Sequence, residues 1–237
     1  MLPSKPMIDQ ASEQLKTEQW VRGLKILSVL VVGAAVVWAG YGFWIKKQET
    51  NALQAFSALA EADLIEIKAV KDAKVLSTDP MEALRDAPES EKASYIAALN
   101  RVVAEHKGST ASYIAALRLG RWSVDQNDFA KAESIYKELL GDIRGQESEI
   151  FASMASEALG VVFENQERWD EALKIYDEAL RNEKATLRPV LLLGKARVLV
   201  SQKKTDEAKS VYDSVVQSYP NTAYSQQARA LAVKASL

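Results

Sequence analysis

The sequence predicts an all-α protein in which one N-terminal transmembrane helix precedes a solenoid of helical hairpins. Two observations carry this prediction: a 20-residue apolar block near the N-terminus, and a segment that recurs three times further on. The composition agrees, because only 10 residues are glycine and 6 are proline, the two residues that most disfavour helices. The predicted segments are a tail at 1–25, a transmembrane helix at 26–45, a helical connector with a degenerate opening repeat at 46–110, and a repeat domain with a C-terminal closing helix at 111–237.

The apolar block runs from Ile26 to Ile45 without a charged residue. As a helix it would be about 30 Å long, which matches the hydrocarbon core of a bilayer. A buried core helix is less consistent with it, because a soluble helix of this length is rarely apolar on every face. A cleaved signal peptide is a second alternative, with Val37-Trp38-Ala39 as its small-residue cleavage site.

The orientation in the membrane follows from the basic residues beside the block. Four precede it and two follow it, namely Lys5, Lys16, Arg22 and Lys25 before it and Lys46 and Lys47 after it. The more basic flank usually stays in the cytoplasm. We therefore expect a single-pass inner-membrane protein with a cytoplasmic N-terminus and a periplasmic C-terminal domain.

The connector predicts two helices that pair as an opening hairpin. Residues 47–76 form the first, with apolar residues such as Leu53, Phe56 and Leu59, and the second lies between Glu91 and His106. Turn signals at Asp79-Pro80 and Ala87-Pro88 predict a loop at about 77–90.

The internal repeat places three residue types at fixed offsets. A small residue precedes an alanine by 12 positions, and a tyrosine follows four positions later. The three sets are Gly120, Ala132 and Tyr136; Gly160, Ala172 and Tyr176; and Ala196, Ala208 and Tyr212. We expect the small residue and the alanine at the close crossing of two helices, and the tyrosine in the gap towards the next repeat. Pro220 then ends a helix, and Asn221 or Thr222 can cap a closing helix.

These offsets resemble those of the tetratricopeptide repeat family over about residues 111–220. The order of a short tail, one span and then helical repeats resembles the membrane-anchored members that accompany the bacterial Sec translocon. The resemblance implies a non-catalytic scaffold whose partners are Sec translocon subunits and periplasmic chaperones. A structural subunit or scaffold of another envelope complex, in cell-wall, division or secretion machinery, is the alternative.

Partner binding is predicted on the concave face formed by the first helix of each repeat. The candidate residues are Ile114, Leu117, Arg121 and Val124; Met154, Glu157, Val161 and Glu164; and Val190, Leu193, Arg197 and Val200. Some members of the family grip a carboxylate with Lys, Asn and Arg, but the matching positions here hold Leu117, Arg121, Ala158, Val190 and Gly194. For Arg121 and Arg197 a solvated or locally paired charge is the more conservative interpretation, and carboxylates such as Glu164 are expected on a solvated face.

The composition excludes several other functions. A net charge of −2 argues against a nucleic-acid binder, and the absence of cysteine excludes disulfides and cysteine-ligated metals. No phosphate-binding loop or hydrolase motif occurs, so we expect no catalysis, no cofactor and no metal. The single histidine, His106, falls at a predicted helix C-terminus, where the helix dipole favours it.

Overall fold

The computed structural model describes residues 38–68, 84–143, 149–182 and 185–235, and all regular structure within them is helical. The chain forms two compact units, Met1–Asn51 and Ala52–Leu237. In the first unit, residues 38–51 are helical. Four aromatic side chains in that stretch are exposed, namely Trp38, Tyr41, Phe43 and Trp44.

The predicted transmembrane helix at 26–45 lies mostly outside the described residues. Residues 38–45 are helical, whereas 26–37 are not described. None of the described helices combines the length and the apolar character needed to cross a bilayer. The span therefore stays a prediction, together with the tail at 1–25.

The second unit is a series of antiparallel helical hairpins. Its helices are α1 (52–68), α2 (Glu89–Glu105), α3 (Thr110–Asp125), α4 (Phe129–Asp142), α5 (Glu149–Asn165), α6 (Trp169–Leu180), α7 (Arg188–Ser201), α8 (Thr205–Ser218) and α9 (Ala223–Ala235). Each helix packs on its sequence neighbour from α2 onwards, and the first helices α3, α5, α7 and α9 also contact one another in turn. This arrangement confirms the predicted repeat of helical hairpins.

The three hairpins end their first helices in the same way. Asn127, Glu167 and Lys203 adopt a left-handed backbone with φ of 59°, 56° and 62°, and the next N–H returns to a carbonyl five residues earlier. These bonds join Asp128 to Ser123 at 2.8 Å, Arg168 to Phe163 at 2.9 Å and Lys204 to Leu199 at 2.9 Å. The motif satisfies carbonyls at the helix end and reverses the chain within three residues. These three hairpins therefore share one turn geometry.

Side-chain caps determine where several helices begin. Ser109 accepts a hydrogen bond from the backbone N–H of Ser112 at the start of α3, and Asp128 accepts one from Lys131 at the start of α4. Thr222 caps α9 by accepting from the N–H of Ser225 at 3.3 Å. The predicted closing helix and its cap are thus confirmed.

The repeat residues form the core, but the glycines have a different contact from the one predicted. The three alanines are fully buried, and the tyrosines are at most 3% exposed. A Cβ on Gly160 would lie 2.4 Å from the Tyr176 ring, and one on Gly194 would lie 2.6 Å from the same ring. The small residues therefore make room for a tyrosine ring rather than for the alanine of the facing helix. Because Gly194 belongs to the next repeat, the tyrosine does fill the gap between repeats, as predicted.

The opening hairpin differs in detail from the sequence prediction. Helix α2 begins at Glu89, and α1 buries Ala55, Leu59 and Ala62. Leu53, Phe56, Leu64 and Ile67 are exposed. The predicted loop at 77–90 was wrong in part, because residues 84–86 are helical and Leu84 is fully buried.

Candidate partner-binding face

The predicted partner-binding residues lie on α3, α5 and α7, which pack side by side. Arg121 and Met154 are exposed, and most of the others are half-buried. Leu193 is the exception, because only 3% of it is exposed and it belongs to the hydrophobic core. We call the remaining set the first-helix face; its members are Ile114, Leu117, Arg121, Val124, Met154, Glu157, Val161, Glu164, Val190, Arg197 and Val200.

The middle repeat inverts the chemistry of its two neighbours on this face. Where α5 has Glu157, the repeat register places Leu117 on α3 and Leu193 on α7. Where α5 has Glu164, the neighbours have Val124 and Val200. At the position between them the order is reversed, with Val161 on α5 and arginine at 121 and 197. Two carboxylates therefore stand at positions that the flanking repeats fill with apolar side chains.

At the junction between α5 and α7, the carboxylate of Glu164 is fully engaged. Arg197 donates to both of its oxygens, each at 2.9 Å, and the Tyr176 hydroxyl donates at 2.6 Å. The paired bonds from Arg197 have the fork geometry that makes arginine–carboxylate pairs strong. The Glu164 side chain is only 16% exposed, so its assignment to a solvated face was wrong. The expectation that Arg197 is locally paired is confirmed.

The electrostatic effects at this junction agree with its geometry. The hydrogen bonds to Glu164 raise the pKa of Arg197, and burial raises the pKa of the Tyr176 hydroxyl. Both groups therefore keep their protons and continue to donate. The same ring packs closely against Gly160 and Gly194, so this junction is tightly packed as well as electrostatically satisfied.

At the junction between α3 and α5, the carboxylate of Glu157 has no such partners. No hydrogen bond or ion pair reaches it from the described part of the chain. Burial raises its pKa, while the charge of Arg197 lowers the pKa and that of Glu164 raises it. Tyr136 lies close enough for Glu157 and Arg121 to influence the pKa of its hydroxyl, which burial raises. Glu157 is thus a half-buried carboxylate that receives no hydrogen bond from the described residues.

The N-terminal part of α5 adds an exposed apolar surface beside Glu157. Ile150 is 41% exposed and Met154 is 39% exposed, and both lie on the same helix face as Glu157 because they precede it by seven and three residues. Sequence reasoning identified Met154 and missed Ile150, which precedes the first repeat match of α5. Its spacing from Met154 was the available signal.

A polar junction between α1 and α3 was also missed by sequence reasoning. Arg118 forms an ion pair with Asp63 and lies 3.6 Å from Glu66, and the Tyr95 hydroxyl donates to Glu66 at 3.4 Å. Arg118 occupies the repeat position that Gly194 holds on α7.

The described residues do not form a metal site, and the single histidine has a structural position. No group of three or more His, Asp or Glu residues among them is arranged to hold a metal ion. His106 is the C-cap residue of α2, and its backbone N–H bonds to the carbonyl of Val102 at 3.0 Å. This position agrees with the helix-terminal interpretation of that histidine.

Comparisons with known proteins place the fold. Residues 18–236 match the family model of the tetratricopeptide repeat-like domain. No curated protein matches the chain. Among solved structures, a tetratricopeptide repeat protein from Parabacteroides merdae ATCC 43184 is similar, with a TM-score of 0.51 and 12% sequence identity.

That structural match covers 75% of this chain and 60% of the other, so the chain spans less than two thirds of its neighbour's length. At 12% identity the likeness concerns the fold alone. The family match is broader, since it includes all of the helices described for the second unit. The chain therefore belongs to the tetratricopeptide repeat-like domain family.

Proposed function

We propose that the chain is a membrane-tethered scaffold that binds protein partners on its first-helix face. The observation that carries this proposal is the inverted middle repeat, which places carboxylates and an exposed apolar surface between two arginine-bearing helices. The second helices, in contrast, keep the repeat alanine and tyrosine for the core. The inverted residues lie on the face where solenoids usually bind. The absence of a catalytic motif in the sequence supports a scaffold over an enzyme.

The proposed location is the bacterial inner membrane, with the apolar block at Ile26 to Ile45 as the anchor and the repeats in the periplasm. The charge-free length of that block and the more basic N-terminal flank support this topology. The proposed partners are Sec translocon subunits and periplasmic chaperones. Their support is the order of tail, span and repeats, which resembles that of the anchored proteins accompanying the translocon.

A structural or scaffolding role in another envelope complex is the second candidate function. The same tethered solenoid would serve cell-wall, division or secretion machinery equally well, because the fold sets the surface and not its partner. Purification in mild detergent distinguishes a structural subunit of such a machine from a scaffold. A constitutive subunit is recovered in stoichiometric amounts with its machine, whereas an accessory scaffold is not.

The proposal is tested by photo-crosslinking in living cells. A photoreactive residue at Met154 or Arg121 probes the first-helix face, and one at the exposed Lys174 of α6 is the control on a second helix. We expect adducts to translocon subunits, periplasmic chaperones or secretory chains from the first two positions and not from the third. Adducts only to cytoplasmic proteins would overturn the topology, and adducts only to one unrelated envelope complex would favour the second candidate.

A further inference from the structure

We propose that Glu157 is a specificity residue that receives a lysine or arginine side chain of the partner, beside an apolar residue of that partner packed on Ile150 and Met154. The inference deepens the proposed function, because it rests on the first-helix face being the binding surface. It commits to one chemistry of occupant, a basic side chain with an apolar neighbour.

The repeat register supplies the first argument. The flanking repeats place Leu117 and Leu193 at the position of Glu157. Leu193 is buried in the core and Leu117 packs against a core cluster, so the scaffold accepts leucine at this position without difficulty. A carboxylate here gives up the burial of an apolar side chain. The fold does not require this glutamate.

The contacts of Glu157 supply the second argument. Among the described residues, the charges that act on the pKa of Glu157 are those of Arg197 and Glu164. Arg197 donates its paired hydrogen bonds to Glu164. The positive charge of Arg197 lowers the pKa of Glu157, but burial raises that pKa by more. The charge of Arg121 lowers the pKa of the Tyr136 hydroxyl, but Arg121 forms no ion pair with Glu157. Asp125 and Glu164 are negatively charged like Glu157 and cannot compensate its charge.

The surroundings of Glu157 indicate which partner group could donate hydrogen bonds to its carboxylate. A half-buried carboxylate without a donor is stabilised most by a charged donor, since hydrogen bonds between ionised groups are the strong ones. A partner cation would meet it on the exposed side of α5, one helical turn from Met154. The long stem of lysine or arginine would lie along Met154 and Ile150, because such stems cover apolar surface while their charged ends reach polar groups.

The test uses the full chain in mild detergent and immobilised pools of short peptides made from Leu, Ala and Ser. The pools differ at a central position, which holds Lys, Arg, Gln or Glu. We expect the Lys and Arg pools to bind about tenfold more tightly than the Gln pool, and E157Q to remove this preference. The matched control Glu138→Gln, on the second helix α4, should leave the preference unchanged. A preference that survives in E157Q, a preference for the Glu pool, or binding by none of the pools would overturn the inference.

A thermal-unfolding measurement on the same variants separates a binding role from a structural one. If Glu157 serves a partner, E157Q unfolds at the same or a higher temperature than the parent chain while losing the preference for basic peptides. If it instead holds Arg121 or Arg197 in place, E157Q unfolds at a lower temperature, which would also contradict the inference. Crosslinks from Met154 that persist unchanged in E157Q would remove the inference and leave the proposed function standing.

Discussion

The two junctions between consecutive repeats on the first-helix face have the same framework and opposite polar chemistry. Between α5 and α7, Glu164 accepts hydrogen bonds from Arg197 and Tyr176. Between α3 and α5, Glu157 receives no hydrogen bond from the described residues. Both carboxylates belong to the same helix and lie seven residues apart. Their difference therefore comes from the neighbouring helices and not from α5 itself.

This contrast separates structural polar groups from available ones. A polar cluster that satisfies all its members stabilises one arrangement of the helices, and the α5–α7 junction is of that kind. A half-buried carboxylate without hydrogen-bond donors lowers the stability of the fold. Such a residue is more common at functional sites, where a partner supplies the donor. The number of carboxylates on a face is therefore a poor guide to whether it binds a partner. The number of hydrogen bonds that each carboxylate already accepts within the protein is a better guide.

The largest expected effect concerns the packing of the satisfied junction. Gly160→Ala and Gly194→Ala each place a methyl group within 2.6 Å of the Tyr176 ring, and that ring is fully buried. We expect each variant to lower the free energy of unfolding by about 1–3 kcal/mol. Denaturant unfolding measures this, with Gly141→Ala as control because nothing lies within 4 Å of the added methyl group there. Equal stabilities for the three variants would show that the ring is not confined.

A smaller effect compares the two tyrosine hydroxyls. Tyr176→Phe removes a hydrogen bond of 2.6 Å to Glu164 and should lower the free energy of unfolding by about 1.5 kcal/mol. Tyr136→Phe removes a hydroxyl with no hydrogen bond from the described residues and should change it by less than about 0.5 kcal/mol. The pair is compared by urea unfolding. A larger loss at Tyr136 than at Tyr176 would reverse the assignment of the two junctions.

The smallest expected effect is a pH dependence at Glu157. Burial raises its pKa in the folded chain above the ordinary value of 4.5, so the folded state holds this proton to higher pH than the unfolded state does. The ionised carboxylate therefore lowers stability as the pH rises from 4.5 through the folded pKa, and the loss disappears on acidification. We expect Glu157→Leu to raise Tm more at neutral pH than near pH 4.5. A stabilisation that is the same at both pH values would assign the effect to apolar burial alone.

The repeat framework could be predicted from the sequence because its signals are local and periodic. Gly120, Ala132 and Tyr136 recur at fixed offsets, and those offsets determine the hairpins, the turns and the buried tyrosines. The closing helix followed from Pro220 and Thr222 for the same reason. Family membership then agrees with these residues over most of the chain.

The polar chemistry of the face could not be predicted, because it depends on which long side chains of different helices meet. Glu157 and Glu164 are both carboxylates on α5, seven residues apart, and the sequence does not say which of them is paired. Only the packing of α7 shows that Arg197 forms hydrogen bonds with Glu164 and not with Glu157. In α1 the apolar residues Leu53 and Phe56 are exposed, whereas Ala55 and Leu59 belong to the same hydrophobic cluster as Leu99 of α2.

The most direct test of this contrast is the thermal unfolding of E157Q and E164Q at neutral pH, since both variants remove one charge from the same helix without changing its size. We predict opposite signs. E164Q loses the charge that holds Arg197 and Tyr176 and should lower Tm by about 4 °C, whereas E157Q relieves an uncompensated charge and should leave Tm unchanged or raise it. A comparable decrease in both variants would show that the two junctions are equally satisfied and would contradict the account.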